Sequence, residues 1–197
     1  MAIAASALTS CGGGDDMSAD EKALRASVTA AATSKDPDSC ARYSTQRFLE
    51  ELTRKRGREA LRSCRAEADE AGIDSLTFDR VAISGPRGSA SVRPGGDEAD
   101  GLKTLELKLR NAGGQWKVDR LARATIERGE VDRALREELS TPPDELDTAS
   151  IGCVVREFRA IDDTTLARAI IGGDPAPASR AIKTCLLATP AERAGVE

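Results

Sequence analysis

Cysteine is the residue type in this sequence that offers the most chemistry. The chain contains five cysteines, Cys11, Cys40, Cys64, Cys153 and Cys185, and no histidine. Without histidine there is no Ser–His or Cys–His pair and no imidazole ligand, so we expect no metal ion and no cofactor. No two cysteines have the Cys-x-x-Cys spacing of zinc or thiol-redox sites, and an odd count leaves one cysteine without a disulfide partner.

The odd cysteine lies in a segment that resembles the lipobox of bacterial lipoproteins. Cys11 follows Leu8-Thr9-Ser10 at the end of a short apolar run, and Gly12-Gly13-Gly14 comes next. In that family the cysteine receives diacylglycerol and becomes the mature N-terminus. The resemblance therefore implies lipidation of Cys11, a cell-membrane anchor as the membrane partner, and an extracytoplasmic location.

The same segment departs from a signal sequence in one respect. Signal segments open with basic residues, and here no basic residue precedes Lys22. Either the natural start lies upstream, or the match is accidental and Cys11 belongs to a disordered tail. Under the first interpretation, residues 1–18 are a signal remnant, the lipobox and a flexible tether.

The other four cysteines are expected to form two disulfides, because exported proteins meet an oxidising environment. Four cysteines allow three connectivities. We favour Cys40–Cys64 and Cys153–Cys185, since each pair falls within one segment of the chain. Buried free thiols are the alternative.

Composition narrows the class of protein and of partner. The chain has 197 residues, of which 31% are charged and 40% hydrophobic, as in one domain with an appendage or two small domains. A net charge of −4 and an aromatic content of 3% predict no nucleic-acid partner. Arginine outnumbers lysine and alanine is abundant, which is typical of GC-rich genomes such as those of actinobacteria.

Hydrophobic periodicity predicts helices, then strands, then helices. The first helix is expected to start at Ser18 or Asp20, the next two at Asp36 and Ser44, and a fourth to end near Gly72. Alternating apolar residues then predict a bulged strand, a short strand, a leucine-rich strand, a hairpin turn and a return strand. In order, these are Leu76 to Ile83, Ser89 to Arg93, Leu105 to Leu109, Asn111 to Gly114, and Trp116 to Leu121.

The short strand Gly88 to Val92 and the Gly-Gly-Gln-Trp-Lys-Val return from Gly113 to Val118, placed after helices and a bulged strand, resemble the nuclear-transport-factor-2-like cone fold. The resemblance is to exported actinobacterial lipoproteins in which a cysteine pair links the helical layer. It implies that residues 19–126 form an α+β domain, with N-terminal helices packed on a curved antiparallel sheet.

The remaining chain is predicted to be all-α. Residues 127–141 are expected to form a connecting helix, and residues 142–197 a small helical module stapled by Cys153–Cys185. This arrangement is similar to small cysteine-paired helical modules of exported actinobacterial proteins. About fifty residues bury little surface, so such a unit needs a staple.

Cone folds hold a pocket between helices and sheet, and strand parity indicates which residues would face it. Glu106 and Asp119 have outward parity, which leaves Asp79, beside the bulge, and Tyr43 as acid–base candidates. A core position is the alternative for Tyr43, and the direction of the Asp79 side chain depends on the bulge. The residues expected at the pocket are Tyr43, Phe48, Phe78, Asp79, Leu105, Leu107, Leu109 and Trp116.

The function expected from these features is binding and not catalysis. We expect a membrane-anchored extracytoplasmic lipoprotein that presents a non-catalytic domain to a small apolar ligand or a protein partner. A cofactor-free isomerase or hydrolase using the cone pocket is the alternative, and dimerisation through the open sheet face is a third interpretation. The basic run Arg54-Lys55-Arg56 is expected either to touch lipid headgroups or to be a solvated loop.

Overall fold

A computed structural model of the protein describes residues 17–70, 73–96, 101–141 and 146–187, so Cys11 lies outside the described residues. The predicted α+β class is confirmed: helices precede and follow one four-stranded antiparallel sheet. The helices are α1 Ala19–Thr33, α2 Ser39–Tyr43, α3 Gln46–Thr53, α4 Arg58–Glu67, α5 Arg128–Leu139, α6 Thr148–Ala160, α7 Asp163–Ile171 and α8 Ala176–Leu187. The strands are β1 Ser75–Ser84, β2 Arg87–Gly95, β3 Leu102–Ala112 and β4 Gln115–Ile126.

The sheet is a meander in which strands adjacent in sequence are neighbours, in the order β1-β2-β3-β4. The predicted bulge is confirmed, because the pairing of β1 with β2 shifts between Phe78 and Arg80 and leaves Asp79 as the extra residue. The predicted hairpin is confirmed as well. Both glycines of the Gly113-Gly114 turn have positive φ, 63° and 84°, as a two-residue hairpin turn of type I′ requires.

One face of the sheet is apolar and is covered by α1. Leu105, Leu107 and Leu109 of β3 are buried on this face, and Leu24 of α1 is fully buried against it. Gly88 of β2 allows the helix to come this close, since a Cβ atom there would lie 2.6 Å from the Leu24 Cδ1 atom. The alternation in β3 predicts the buried face, whereas the need for glycine at position 88 arises only from the packing.

Two of the predicted helix starts lie slightly too early. α2 begins after Asp38, because the Asp36 carboxylate accepts the Asp38 N–H (3.0 Å) in a turn that precedes the helix. α3 is capped by the hydroxyl of Thr45 and not by Ser44. Ser44 instead forms an isolated parallel bridge with Val118 of β4, and the Thr45 N–H donates to the Val118 carbonyl (2.8 Å). This long-range pairing moves the cap by one residue.

The outer edge of β4 is hydrogen-bonded by the start of α7. The side chains of Asp163 and Thr164 accept the backbone N–H groups of Ile126 and Ala124, each at 3.1 Å. An unpaired strand edge is a template for pairing with another chain. The C-terminal helices therefore complete the sheet through side chains instead of a fifth strand.

Both predicted disulfides are present. Cys40–Cys64 joins α2 to α4, and Cys153–Cys185 joins α6 to α8. Buried side chains of α6, α7 and α8 belong to the same contiguous hydrophobic core as those of the sheet. Within the described residues, the helices expected to form a separate C-terminal module thus share the core of the sheet.

Candidate functional site

Most of the residues expected at a pocket form the packed core instead. Phe48, Leu105, Leu107, Leu109 and Trp116 are each less than a tenth exposed and belong to the main hydrophobic core. The indole Nε1 atom of the tryptophan is buried and has no hydrogen-bond partner among the described residues. These side chains contribute packing energy, and none of them lines either of the two cavities described below.

The other three expected pocket residues lie nearer the surface. Tyr43 and Phe78 are half-buried, and the guanidinium of Arg25 lies 4.8 Å from the centre of the Phe78 ring. Asp79 is exposed at the bulge, where its carboxylate pairs with Arg93 (Nη2 to Oδ1, 2.9 Å). The bulge therefore directs this carboxylate toward an arginine and solvent.

A polar cavity of about 790 Å³ lies where α3 and the loop after it meet β4 and α7. Its lining is dominated by charged side chains, and basic residues outnumber acidic ones. The basic residues are Arg47, Arg54, Lys55, Arg56, Arg120 and Arg168, and the acidic residues are Glu50 and Glu51.

Ion pairs hold the walls of the polar cavity in place. Arg168 of α7 pairs with Glu51 of α3 (Nε to Oε1, 2.5 Å) and donates to the Leu121 carbonyl of β4 (3.2 Å). Arg54 lies 2.6 Å from the Asp174 Oδ2 atom, in an ion pair that lacks an aligned hydrogen bond. These contacts join α3 to the C-terminal helices, so several of the charged groups at the cavity stabilise the packing of its walls.

Glu50, at the rim of the polar cavity, is held in its ionised form. The Gly57 N–H donates to its carboxylate (2.8 Å) and lowers its pKa most, followed by the Gln46 side-chain amide (3.0 Å) and then the charge of Arg56. Hydrogen bonds to a carboxylate favour its charged form. This group therefore accepts hydrogen bonds and does not serve as a proton donor near neutral pH.

An apolar groove of about 370 Å³ lies among the four C-terminal helices. Its lining combines partly exposed rim residues with buried floor residues such as Phe158 and Leu166. Two carboxylates, Glu138 and Asp174, are the charged members of the lining. The apolar members are Val131, Ala134, Leu135, Phe158, Leu166, Ala169, Ile170, Pro177 and Ala178.

Comparisons with family models, curated proteins and solved structures found no match to this chain. Only the sequence and the geometry therefore bear on function. Within the described ranges, no three acidic or cysteine side chains gather as metal ligands would. No helix in the same ranges is both long and apolar enough to cross a membrane.

The sequence shows the apolar stripes that line the groove, but it does not show whether another element covers them. Val131 and Leu135 repeat at helical spacing, as do Leu166 and Ile170, and such stripes usually mark core faces. Periodicity shows which face of a helix is apolar but not what covers that face. Only the arrangement of α5 and α7 around the groove shows that these stripes are left partly open.

Proposed function

We propose that the protein is a lipid-anchored extracytoplasmic binding protein, held at the membrane through Cys11, which takes up a small apolar ligand. The observation that carries the binding part of this proposal is the apolar groove among α5, α6, α7 and α8. Its volume lies within the range of about 300–1,000 Å³ that is usual for small-molecule sites, which are mostly apolar with a few polar groups.

The compartment is supported by the disulfides. Cys40, Cys64, Cys153 and Cys185 are all consumed in two bridges, which leaves Cys11 as the odd cysteine. Disulfides persist in oxidising compartments and are rare in the cytosol. A cysteine that follows a lipobox-like sequence and has no disulfide partner in the chain is the expected acylation site.

This proposal includes no acid–base chemistry, because three of the four carboxylates that line the two cavities are already held by arginines or hydrogen bonds. Glu51 pairs with Arg168, and Asp174 pairs with Arg54. Hydrogen bonds lower the pKa of Glu50, as described above. General acid–base catalysis near neutral pH needs a group whose pKa lies near the working pH, reached by upward shifts in carboxylates. Binding requires no such group.

We also infer that the N-terminal part of the chain adopts a cone-like variant of the α+β class. Support comes from α1, which contacts both β1 and β4, the two outer strands of the sheet. A single helix about 10 Å wide touches both edges of a four-stranded sheet most readily if that sheet curls around it. The bulge at Asp79 is the kind of feature that introduces such curvature.

The first prediction concerns the anchor. When the signal-bearing gene is expressed in a bacterial host, the wild-type protein is expected in the detergent phase and Cys11→Ala in the aqueous phase, because the variant cannot be acylated. Detergent-phase partitioning followed by mass spectrometry of the N-terminal peptide measures this. Aqueous partitioning of both proteins would refute the lipid anchor and leave the proposal of ligand binding in the groove unaffected.

The second prediction concerns the groove. Ala134→Phe places a ring into the apolar groove from an exposed position of α5, so binding of the uncharged dye N-phenyl-1-naphthylamine should weaken at least about tenfold. The neighbouring Arg133→Phe, exposed on the same helix but outside the groove, is the matched control and should bind the dye as wild type does. Equal binding by all three proteins would remove the groove as the ligand site.

A further inference from the structure

The face of the sheet that α1 does not cover is strongly basic, although the chain as a whole has a net charge of −4. All four strands contribute exposed cations to it, and we call these six residues the basic sheet face. They are Arg80, Arg87, Lys108, Arg110, Arg120 and Arg123.

The strand register places like charges directly opposite one another on this face. Arg87 of β2 pairs with Arg110 of β3, and Arg110 pairs in turn with Lys117 of β4. One row further along, Lys108 lies opposite Arg120. Neighbouring strands are about 4.8 Å apart, and like charges directly opposite in a sheet destabilise it. The fold therefore carries an electrostatic cost here.

Few carboxylates offset this charge. Among the described residues, none of the six cations of the basic sheet face lies in an ion pair. Glu106 is the carboxylate that lies among the cations of the basic sheet face, opposite Arg123 in the strand register. The carboxylates at the margins have other partners: Asp79 pairs with Arg93, and Asp119 accepts the hydroxyl of Thr45 (3.2 Å).

We propose that the basic sheet face binds the phosphate groups of an anionic lipid leaflet. A phosphate bound between two opposed cations reduces the repulsion between them. The register that destabilises the free sheet therefore favours phosphate binding. Each basic residue near an anionic leaflet contributes about 1 kcal/mol, or about fivefold in partition coefficient. None of the five aromatic side chains, Tyr43, Phe48, Phe78, Trp116 and Phe158, is exposed, so the face offers no ring on which a nucleic-acid base could stack.

The choice of a lipid leaflet as the source of phosphate rests on the proposed anchor at Cys11. The inference that the face binds anions rests only on the strand register and its opposed like charges. Residues 12–18 span at most about 25 Å when extended. A lipid on Cys11 would thus keep the sheet within reach of the headgroups, where a tether raises the effective concentration of a weak site.

The test uses the full chain with Cys11→Ala, so that acylation does not mask binding by the sheet. This protein should co-sediment at low ionic strength with vesicles of phosphatidylcholine and phosphatidylglycerol, and not with phosphatidylcholine alone. Adding Lys108→Gln and Arg110→Gln should lower the partition coefficient by about 25-fold. Adding Arg133→Gln and Arg136→Gln on α5 instead, two exposed cations outside the face, should leave it within about twofold.

A second readout separates binding from a structural role. Because Lys108→Gln and Arg110→Gln remove both rows of opposed like charges, they should leave the midpoint of thermal unfolding unchanged or raise it at low salt. A clear loss of stability in this variant would make the face structural and overturn the proposal. Equal losses of vesicle binding in the sheet and α5 variants would overturn it too.

Competitors distinguish the sources of phosphate. Glycerol phosphate at the phosphate concentration of the vesicles should not release the protein, because each free phosphate engages only a few of the cations, whereas a leaflet presents many phosphates to the whole face at once. Release by glycerol phosphate would assign the face to a free phosphate compound, and release by inorganic polyphosphate at that concentration would assign it to a soluble polyanion. Either result would overturn the leaflet proposal. All these measurements are independent of Cys11 acylation and of dye binding in the groove.

Discussion

Removal of the Cys153–Cys185 disulfide by Cys153→Ala with Cys185→Ala is expected to lower the free energy of unfolding by about 4 kcal/mol. The bridge spans 32 residues, and loss of that loop constraint from the unfolded chain accounts for most of the effect. Both cysteines are buried in the main core, so the missing sulfur atoms add a packing loss. Denaturant unfolding followed by the emission of Trp116, the one tryptophan, measures the change.

Cys40→Ala with Cys64→Ala is the matched control. That bridge spans 24 residues, and loop-closure entropy gives it a nearly equal effect of about 3.5 kcal/mol. Removal of Cys153–Cys185 should weaken dye binding in the groove, whereas removal of Cys40–Cys64 should leave dye binding unchanged. Cys153–Cys185 joins α6 to α8, two walls of the apolar groove, whereas Cys40–Cys64 lies outside it. Equal dye binding by both variants would show that the disulfide does not maintain the groove.

Gly172→Ala is expected to destabilise the protein by about 3 kcal/mol. A Cβ atom at this position would lie 2.4 Å from the Leu52 carbonyl oxygen, a backbone atom of α3 that cannot rotate away. Gly172 has φ −94°, which any residue adopts, so the cost comes from overpacking and not from backbone strain. The substitution would push α7 away from α3 and lengthen the nearby Arg54–Asp174 ion pair.

Two other glycines provide controls for this substitution. Gly173→Ala meets no close atom but must adopt φ 59°, so it should destabilise by about 1 kcal/mol. Gly152→Ala lies within α6 with open space around the new Cβ atom and should stabilise by about 0.5–1 kcal/mol. If Gly172→Ala behaved like Gly152→Ala in thermal unfolding, the close contact of α7 with α3 would be contradicted.

The fold features could be predicted from sequence to a much greater extent than the two surfaces on which function is proposed. The α+β class, the bulge at Asp79, the Gly113-Gly114 hairpin and both disulfide pairings could be predicted from sequence. The apolar groove and the basic sheet face could not, even though their residues are plain in the sequence. Each of these surfaces combines segments that lie far apart in the chain.

Two errors in helix starts show the limit of local patterns. Asp36 and Ser44 each have the side-chain chemistry of a helix cap, yet the helices begin two residues and one residue later. At Ser44 the reason is tertiary, because its backbone pairs with Val118, 74 residues further along the chain. Local propensity is worth about 1 kcal/mol at a cap, and a backbone pairing with the sheet can outweigh it.

The sequence by itself determined the periods and the covalent links. Alternation in β3 sets which leucines are buried because a strand turns successive side chains to opposite faces. The cysteine pairs follow the segments in which they lie, and both were found as expected. The alternation depends on neighbouring residues, where the chain's geometry is nearly invariant. Each disulfide closes a loop within one segment of the chain, between cysteines 24 or 32 residues apart.

Only the tertiary structure decided which apolar faces are covered and which charges are paired. The register of β2, β3 and β4 brings Arg87, Arg110 and Lys117 into one row, and the docking of α7 brings Arg168 to Glu51. The bulges in β4 shift its pairing with β3 in ways that no local pattern shows. The physical reason is that burial and charge pairing depend on distances between segments, and those distances exist only once the whole core has packed.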